Sequence, residues 1–221
     1  MAEKPILFNT QMVHAIMDGR KTQTRRLIKA PVLYEVSEPP DHIEKVTLPW
    51  ADYQFTWHGK AIGNFELKAP YRPSDVLWVR ETWCKWWLPF GEWTYSYKAI
   101  SPNGNMAPTG PDPEDEWFVM PWKPSIHMPR EAARLFLLVK DVRAERLMDI
   151  SEADAMAEGF APNPLESGKT TVNFMCSVDC FQGSARGKFA LLWNQTIKKS
   201  DFQRYRWNAN PWVWRIEFER I

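Results

Sequence analysis

The hydrophobic pattern near the N-terminus predicts a short amphipathic helix followed by a strand. Between positions 11 and 18, apolar residues fall at helical spacing at Met12, Ala15 and Ile16. Thr10 suits the N-cap, because its hydroxyl can accept from an orphan amide, and Gly19 can take the positive φ of a C-cap. Residues 22–28 suit a strand. The chain is therefore predicted to turn from helix to strand just after Gly19.

Further strands are predicted wherever apolar residues alternate or run together, at residues 6–9, 76–83, 93–99, 134–147 and 211–219. A turn at Pro73-Ser74-Asp75 precedes the second of them. Ser151 and Asp154 match a capping box, and the helix that they open ends at Gly159. Another helix is expected at residues 184–196. This mixture of elements indicates an α+β protein.

Three stretches lack a clear period and are expected to be insertions, near residues 35–70, 101–125 and 161–183. The first is rich in prolines, charges and scattered aromatics, and a hairpin around His58-Gly59-Lys60 is one interpretation of it. At 221 residues the chain suits one sizeable domain. We therefore expect residues 1–221 to form a single domain that carries three insertions.

The charge balance narrows the class of ligand. Lys and Arg number 28 against 27 Asp and Glu, which gives a net charge of +1. Proteins that grip long nucleic acids are usually strongly basic, so this balance favours a pocket for a nucleotide or a short single strand. The thirteen tryptophans suit either core packing or base stacking. Without an apolar run of about 18 residues or a signal-peptide core, we expect a cytoplasmic protein with no membrane partner.

The three cysteines do not suggest a disulfide framework, because their number is odd. Cys176 and Cys180 are four residues apart, but no histidine or second cysteine pair lies near them in the sequence. Structural thiols are therefore expected rather than a metal site, and the sequence predicts neither a metal nor a cofactor.

The turn after the first helix concentrates positive charge without any acid, at Arg20, Lys21, Arg25 and Arg26. One interpretation is a solvated basic cap, since cations are tolerated at a helix C-terminus. Another is a site, because Lys21 and Thr24 bracket the turn and bring an amine and a hydroxyl towards one small volume. Glu158 lies in the last turn of its helix, where the macrodipole disfavours a carboxylate. That placement is a modest indication of a tertiary role.

The pattern G-x-K-x-x-T-x-R resembles the signature of the ASCH family, a branch of the PUA-like superfamily, at Gly19, Lys21, Thr24 and Arg26. The strand at 75–83, the helix at 151–159 and the last strand occur in the order of that family. Residues 122–130 also resemble its longer members from bacteriophage. The resemblance implies a PUA-like β-barrel of about six strands decorated by helices.

Members of the ASCH family are regarded as nucleic-acid or nucleoside associated. Some compact members resemble amidohydrolases that act on N4-acetylcytidine through a lysine, a threonine and a glutamate. The resemblance carries these roles to Lys21, Thr24 and Glu158, although this chain is much longer than the compact enzymes.

The remaining candidates for ligand contacts are basic, aromatic or acidic residues around the expected pocket: Arg20, Arg25, Arg26, Trp78, Arg80, Glu81, Trp83, Tyr97 and His127. Arg80 and Glu81 are expected in the pocket wall, or alternatively form an ion pair with no functional role. His127 lies between two prolines, and a lone histidine is often simply packed and hydrogen-bonded.

Three functions are open at this point. The first is a module that binds RNA or a modified nucleoside or nucleotide in a pocket built on the turn at 19–26. The second is a metal-independent amidohydrolase that deacylates N4-acetylcytidine-type nucleosides. The third is a phage interaction or assembly protein. The aromatic residues of its insertions would then contact a phage or host protein partner.

Overall fold

The structure is a computed structural model that describes residues 2–29, 42–48, 51–59, 63–88, 92–101, 109–111, 117–119, 121–162 and 183–221. The chain divides into two compact units. Unit 1 comprises residues 1–19, 75–138 and 220–221, and unit 2 comprises residues 20–74 and 139–219. Each unit is described by itself below. The single-domain organisation stays a prediction.

The described residues of unit 1 include the α-helix α1 (Thr10–Met17) and several short strands. The strands are β1 (Glu3–Leu7), β6 (Val76–Arg80), β7 (Trp83–Trp87), β8 (Trp93–Tyr97), β9 (Thr109–Pro111), β10 (Trp117–Val119) and the start of β11 (Phe136–Arg146). β1 runs parallel to β6, and the start of β11 pairs antiparallel with β6. β7 pairs with β8 and β9 with β10, both antiparallel.

The first helix forms as the sequence predicts, with Val13, Ala15 and Ile16 buried. It ends at the C-cap Asp18, and Gly19 follows with a φ of 72°. The predicted N-cap is wrong, however. Asn9 takes that position, and its side-chain oxygen accepts from the backbone N–H of Met12 at 2.9 Å. Asparagine is at least as good an N-cap as threonine, so the helix starts one residue earlier than the apolar pattern alone suggests.

The other α-helices and the remaining strands of the described residues lie mainly in unit 2. They are β2 (Gln23–Leu27), β3 (His42–Leu48), β4 (Ala51–Gly59), β5 (Gly63–Lys68), the rest of β11, α2 (Glu152–Ala157), α3 (Ala185–Thr196), α4 (Phe202–Tyr205) and β12 (Trp212–Arg220). β12 pairs antiparallel with β2, from Val213 opposite Leu27 to Glu217 opposite Gln23.

The stretch expected as the first insertion contains regular structure. β3, β4 and β5 form a three-stranded antiparallel sheet, with Gly59 opposite Gly63 at the end of the β4–β5 hairpin. The hairpin interpretation around His58 and Gly59 is therefore confirmed, and Lys60 lies outside the described residues. The aromatic residues of this stretch do not alternate with polar ones, so the sequence did not predict the pairing of β3 with β4. Most of the third expected insertion, with Cys176 and Cys180, also lies outside the described residues.

The core of unit 2 packs α3 against α2 and the chain around them. It is built from alanine, larger aliphatic and aromatic side chains: Leu147, Ile150, Ala155, Ala185, Phe189, Ala190, Trp193, Trp207 and Val213. The capping box predicted for α2 is confirmed, since the Ser151 hydroxyl and the Asp154 carboxylate each bind the other residue's backbone N–H. Ser184 caps α3 through the backbone N–H of Gly187. Both helices are therefore anchored at their N-termini.

The protein is a mixed α/β structure with several sheets and few helices. Among the residues that the structure describes, no helix has the length and apolar character needed to cross a membrane.

The identity of the first N-cap gives a direct test of the fold. Replacing Asn9 with Ala should lower the free energy of unfolding by about 1 kcal/mol, because the Met12 amide loses its acceptor. Replacing Thr10 with Ala, the matched control, should change it much less. Urea denaturation of both variants measures the difference, and a larger loss for Thr10→Ala would contradict the structure.

Candidate functional site

The start of β2 is held against the end of α2 by backbone and side-chain contacts. Lys21 forms an isolated antiparallel bridge with Glu158, and the Thr22 N–H donates to the Ala157 carbonyl at 2.8 Å. On the other side, the Phe218 N–H of β12 donates to the Thr22 carbonyl at 2.8 Å. The basic turn is thus fixed between the C-terminus of α2 and the last strand.

The Lys21 ammonium is buried and has three acceptors. Its Nζ lies 2.6 Å from Glu158 Oε2, 2.9 Å from the Glu158 carbonyl and 2.9 Å from the Gln23 carbonyl. An ammonium has three N–H donors, so these contacts use all of them. Lys21 and Glu158 are each only 2% exposed. The Lys21 ammonium also lies against a carbonyl at the C-terminus of α2, where the helix dipole favours a cation.

Arg25 takes up the other oxygen of the same carboxylate. Its NH1 lies 3.2 Å from Glu158 Oε1, and its Nε donates to Glu145 Oε1 at 2.8 Å. The Arg25 side chain is fully buried. Glu158 therefore bridges two cations, and the carboxylate that its helix position disfavours is stabilised by tertiary contacts.

A further set of polar contacts joins β2, β12 and α2. The Gln23 amide donates to Asp154 Oδ1 at 3.0 Å and accepts from the Nε of Arg215. Arg215 also lies 3.2 Å from Asp154 Oδ1. Gln23 and Arg25 are two residues apart in β2, so their side chains lie on the same face of the strand, the face towards α2. The N-terminal half of β2 is thereby locked to α2 by hydrogen bonds and ion pairs.

Thr24 and Arg26 lie on the opposite face of β2 by the same alternation. Thr24 is buried and pairs with Ile216 of β12. Within the described part of the chain, no hydrogen bond joins its hydroxyl to Lys21 or Glu158. The structure thus brings Lys21 and Glu158 into contact and places Thr24 beside them on another face of the strand.

Burial lowers the pKa of Lys21 below that of an ordinary lysine, because desolvation disfavours the ammonium. The carboxylate of Glu158 opposes this shift, whereas the nearby guanidinium groups of Arg26 and Arg25 add to it. Burial also lowers the pKa of Arg26 and raises that of Tyr71, and each of these two groups partly offsets the other's shift. Lys21 is therefore easier to deprotonate than a free lysine.

A cavity of about 230 Å³ opens beside the second half of β2. It is lined by basic, aromatic, aliphatic and small polar side chains: Arg25, Arg26, Leu27, Lys29, Trp193, Thr196, Ile197, Lys198, Asp201 and Tyr205. Four of these residues are cationic and one is acidic. Arg25 is paired with Glu145 and Glu158, and Arg26 interacts with Tyr71 and Glu158. Lys29 and Lys198 are the exposed cations of the lining.

The walls of this cavity are set by packing of α3 and α4. Trp193 is buried in the core of unit 2, and its indole N–H donates to the Tyr205 carbonyl at 2.8 Å. Tyr205 is half-buried, while Lys29 and Lys198 are exposed. Aromatic surface therefore lies inside the cavity, with two exposed cationic side chains at its solvent side.

The other predicted site residues divide between the two units. Arg20 is exposed in unit 2 and donates to the Gly159 carbonyl at 2.8 Å. The remaining six lie in unit 1: Trp78, Arg80, Glu81, Trp83, Tyr97 and His127. Arg80 stacks on the Trp78 ring at 4.6 Å, and His127 is exposed.

Glu81 pairs with Arg134 rather than with its neighbour Arg80. Arg134 Nε and NH2 lie 2.9 and 3.0 Å from the two oxygens of the buried Glu81 carboxylate. The Arg134 guanidinium also lies 4.4 Å from the centre of the Tyr97 ring, whose hydroxyl donates to the Ala132 carbonyl. The alternative of an Arg80–Glu81 pair is therefore wrong.

Sequence reasoning missed several residues of the network and the cavity: Gln23, Lys29, Glu145, Asp154, Trp193, Lys198, Asp201, Tyr205 and Arg215. One signal was available, since Arg215 interrupts the apolar residues at the start of β12. The cavity residues come from distant parts of the chain, so no local spacing brings them together.

Comparisons of the chain with protein-family models, with curated proteins and with solved structures return no match. Among the residues that the structure describes, no group of three or more His, Cys, Asp or Glu side chains is placed to hold a metal ion. Function is therefore inferred from the charges, distances and shape of the site.

The ion pair predicts strong energetic coupling between Lys21 and Glu158. Lys21→Met and Glu158→Gln should each destabilise unit 2 by about 3–5 kcal/mol, because each leaves a buried partner uncompensated. The double variant should lose less than the sum, with a coupling energy of about 1–3 kcal/mol. Chemical denaturation of the four proteins measures it.

The exposed pair Lys140–Glu219, at 2.6 Å in the same unit, is the matched control. Its coupling energy should stay below about 1 kcal/mol, because solvent screens exposed charges. Equal coupling energies for the two pairs would show that burial does not strengthen the Lys21–Glu158 pair and would contradict this prediction.

Proposed function

We propose that this protein is a binding module that holds a nucleotide, or one nucleotide of a short single-stranded RNA, in the cavity beside β2. The observation that carries the proposal is the composition of that cavity: Arg26, Lys29 and Lys198 supply positive charge, and Trp193 and Tyr205 supply aromatic surface. An anionic group and a flat aromatic base are the two parts of a nucleotide that such walls would bind.

The size of the cavity supports a small ligand. Pockets for drug-sized molecules have volumes of about 300–1,000 Å³, and this one has about 230 Å³. A nucleotide would place its base inside and its phosphate towards Lys29 and Lys198. The nearly neutral whole chain, with its net charge of +1, agrees with a local contact rather than a long groove.

Aromatic stacking would provide affinity with little sequence preference. Stacking of a base on an aromatic side chain contributes about 1–3 kcal/mol. Tyr205 is the better platform, because it is half-buried, whereas Trp193 is mostly enclosed by the core. Asp201 adds a carboxylate to the cavity wall.

Lys21 and Glu158 have a supporting role in this proposal. They do not line the cavity, and all three Lys21 donors are already engaged. By holding β2 to α2 they fix the strand that carries Arg26 and that leads to Lys29. The PUA-like barrel implied by the resemblance belongs to the same proposal, since that superfamily is associated with nucleic acids.

Binding of short RNA provides the test. A labelled single strand of about six nucleotides should bind with a salt dependence of about two to four phosphate contacts. Lys198→Ala should weaken binding about five- to tenfold and lower the salt slope by about one contact. Fluorescence anisotropy at several salt concentrations measures both quantities.

Lys199→Ala is the matched control, because Lys199 is the exposed lysine next in the chain and does not line the cavity. Its affinity and salt slope should equal those of the wild type. Equal losses in the two variants, or a slope of about eight contacts or more, would exclude the small-cavity proposal.

A second candidate function is hydrolysis of an N4-acetylated cytidine, favoured by the contact between the buried Lys21 amine and Glu158. A neutral Lys21 would take a proton from the attacking water, or from the Thr24 hydroxyl, as its oxygen bonds to the acetyl carbon. The acetyl C–N bond would break, and Glu158 would pass that proton from Lys21 to the leaving N4 amine. If Thr24 is the nucleophile, a water molecule would then hydrolyse the acetyl ester on Thr24. The products would be acetate and cytidine. Opening of the present hydrogen bonds around Lys21 would have to precede this step.

Turnover is tested by chromatographic conversion of N4-acetylcytidine between about pH 6 and pH 10. The rate should rise with pH, because Lys21 must lose a proton, and its apparent pKa should lie below that of free lysine. Lys21→Arg should abolish the rate, since a guanidinium stays charged, whereas Lys199→Ala should retain it. Activity that survives Lys21→Arg would contradict this mechanism.

A further inference from the structure

One face of the β7–β8 hairpin in unit 1 carries five aromatic side chains and one lysine. Residues directly opposite each other in an antiparallel pair lie on the same face of the sheet, and so do residues two apart in one strand. We name this face of the hairpin the aromatic face. The register places three pairs of residues on it: Trp83 with Tyr97, Lys85 with Tyr95, and Trp87 with Trp93.

The side chains of the aromatic face form one continuous row of contacts. The ring centres of Trp87 and Trp93 are 5.1 Å apart. The Lys85 ammonium lies 5.3 Å from the centre of the Trp93 ring and 5.7 Å from that of the Tyr95 ring. The Tyr95 ring centre in turn lies 5.7 Å from that of Trp83. These groups therefore share one continuous surface.

The row of contacts runs from the core of unit 1 to solvent. Trp83 is 5% exposed and packs with Met128 and Ala132. Trp93, at the other end, is 57% exposed although Lys85 lies over its ring. Among the aromatic side chains whose exposure the structure describes, Trp93 alone is exposed. Cross-strand pairing explains why Trp93 contacts its opposite residue, but it does not account for this open aromatic surface.

The charge along the aromatic face is positive. The Lys123 ammonium lies 5.3 Å from the centre of the Trp83 ring, so a second lysine extends the row that Lys85 begins. Within the described part of the chain, neither lysine forms an ion pair with a carboxylate. The Glu131 carboxylate accepts instead from the Tyr95 hydroxyl.

This combination of groups selects the chemistry of a partner. An apolar protein surface laid on Trp93 would bury the Lys85 ammonium without a counter-charge, which is costly. A ligand with flat rings and negative charges would satisfy both the open indole and the lysine. Aromatic platforms flanked by cations bind single-stranded nucleic acids in this way, because bases stack on the rings and phosphates meet the cations.

We propose that the aromatic face binds single-stranded nucleic acid, with one base stacked on Trp93 and the neighbouring phosphate paired with Lys85. Lys123 would extend the path of the strand towards Trp83. The bases of a duplex already stack on one another, so this surface selects single strands. The site lies wholly within unit 1 and does not depend on the cavity beside β2.

The indole N–H resonance of Trp93 provides the test, because it reports on this site alone. Uniformly ¹⁵N-labelled protein is titrated with a single-stranded RNA of about six nucleotides, and the signal is assigned by its loss in Trp93→Phe. The signal should shift along a saturable curve. An abasic strand with the same number of phosphates should bind at least about fivefold more weakly, since it has no base to stack.

The same RNA paired with its complement separates stacking from charge. Contacts with phosphate alone would favour the duplex, which has the higher charge density, whereas stacking favours the single strand. Stronger binding of the single strand, read from the Trp93 signal, is the expected result. Equal or stronger binding of the duplex or of the abasic strand, or a Trp93 signal that does not move with RNA, would overturn the proposal.

Variants of the hairpin test the role of Lys85. Lys85→Ala should weaken the affinity read from the Trp93 signal about fivefold and lower its salt slope by about one contact. Lys85→Arg keeps the charge and should retain the affinity. Thr94→Ala is the matched control, because Thr94 follows Trp93 in β8 and lies on the opposite face of the hairpin. Equal weakening by Lys85→Ala and Thr94→Ala would contradict a site on the aromatic face.

Lys198→Ala makes failure of this proposal distinguishable from failure of the cavity in unit 2. Lys198 lines that cavity, so its replacement should leave the Trp93 titration curve unchanged. A Trp93 response that is lost in Lys198→Ala would overturn an independent site in unit 1. A response that persists there supports the aromatic face even if the cavity binds no nucleotide.

Discussion

The buried ion pair between Lys21 and Glu158 is the contact on which the architecture of unit 2 depends. Removing two charges from water is costly, and the cost is offset only when the geometry is good and the remaining donors and acceptors are satisfied. Lys21 meets that condition with three acceptors, and Glu158 meets it by binding Arg25 as well. The pair fixes the start of β2 at one end of α2.

This anchoring determines how the remaining charges of β2 are used. Arg25 faces α2 and is balanced by Glu145 and Glu158. Arg26 lies on the other face of β2, and both arginines contribute to the lining of the cavity. Arg25 therefore belongs both to the buried network and to the cavity wall, whereas Lys21 does not line the cavity. This arrangement favours a binding site beside a structural ion pair, with Lys21 held away from the ligand.

Local patterns predicted α1, α2 and α3 because their determinants are local, whereas the single turn of α4 was not predicted. The capping box of Ser151 and Asp154 and the glycine after α1 act within one turn of chain, and both form as expected. Asn9 and Thr10 are adjacent, and both are good N-cap residues, so the predicted start of α1 was wrong by one residue. The strands of residues 42–68 pair with one another, and their irregular mixture of aromatics and charges hides that pairing.

The site was predictable only in part. The unfavourable position of Glu158 at a helix end indicated a tertiary partner, and the basic turn contains that partner, Lys21. The cavity is different, because Lys198, Asp201 and Tyr205 follow α3 and approach β2 across more than 150 residues of chain. Contacts at such separation leave no period or spacing in the sequence, so the cavity emerges only from the fold.

A crystal structure with a bound ribonucleoside monophosphate tests the central claim most directly. The account predicts the base against Tyr205, the phosphate within ion-pair distance of Lys29 or Lys198, and Lys21 still bound to Glu158. A nucleotide bound elsewhere, a cavity that stays empty at saturating ligand, or a ligand that displaces Glu158 from Lys21 would contradict it.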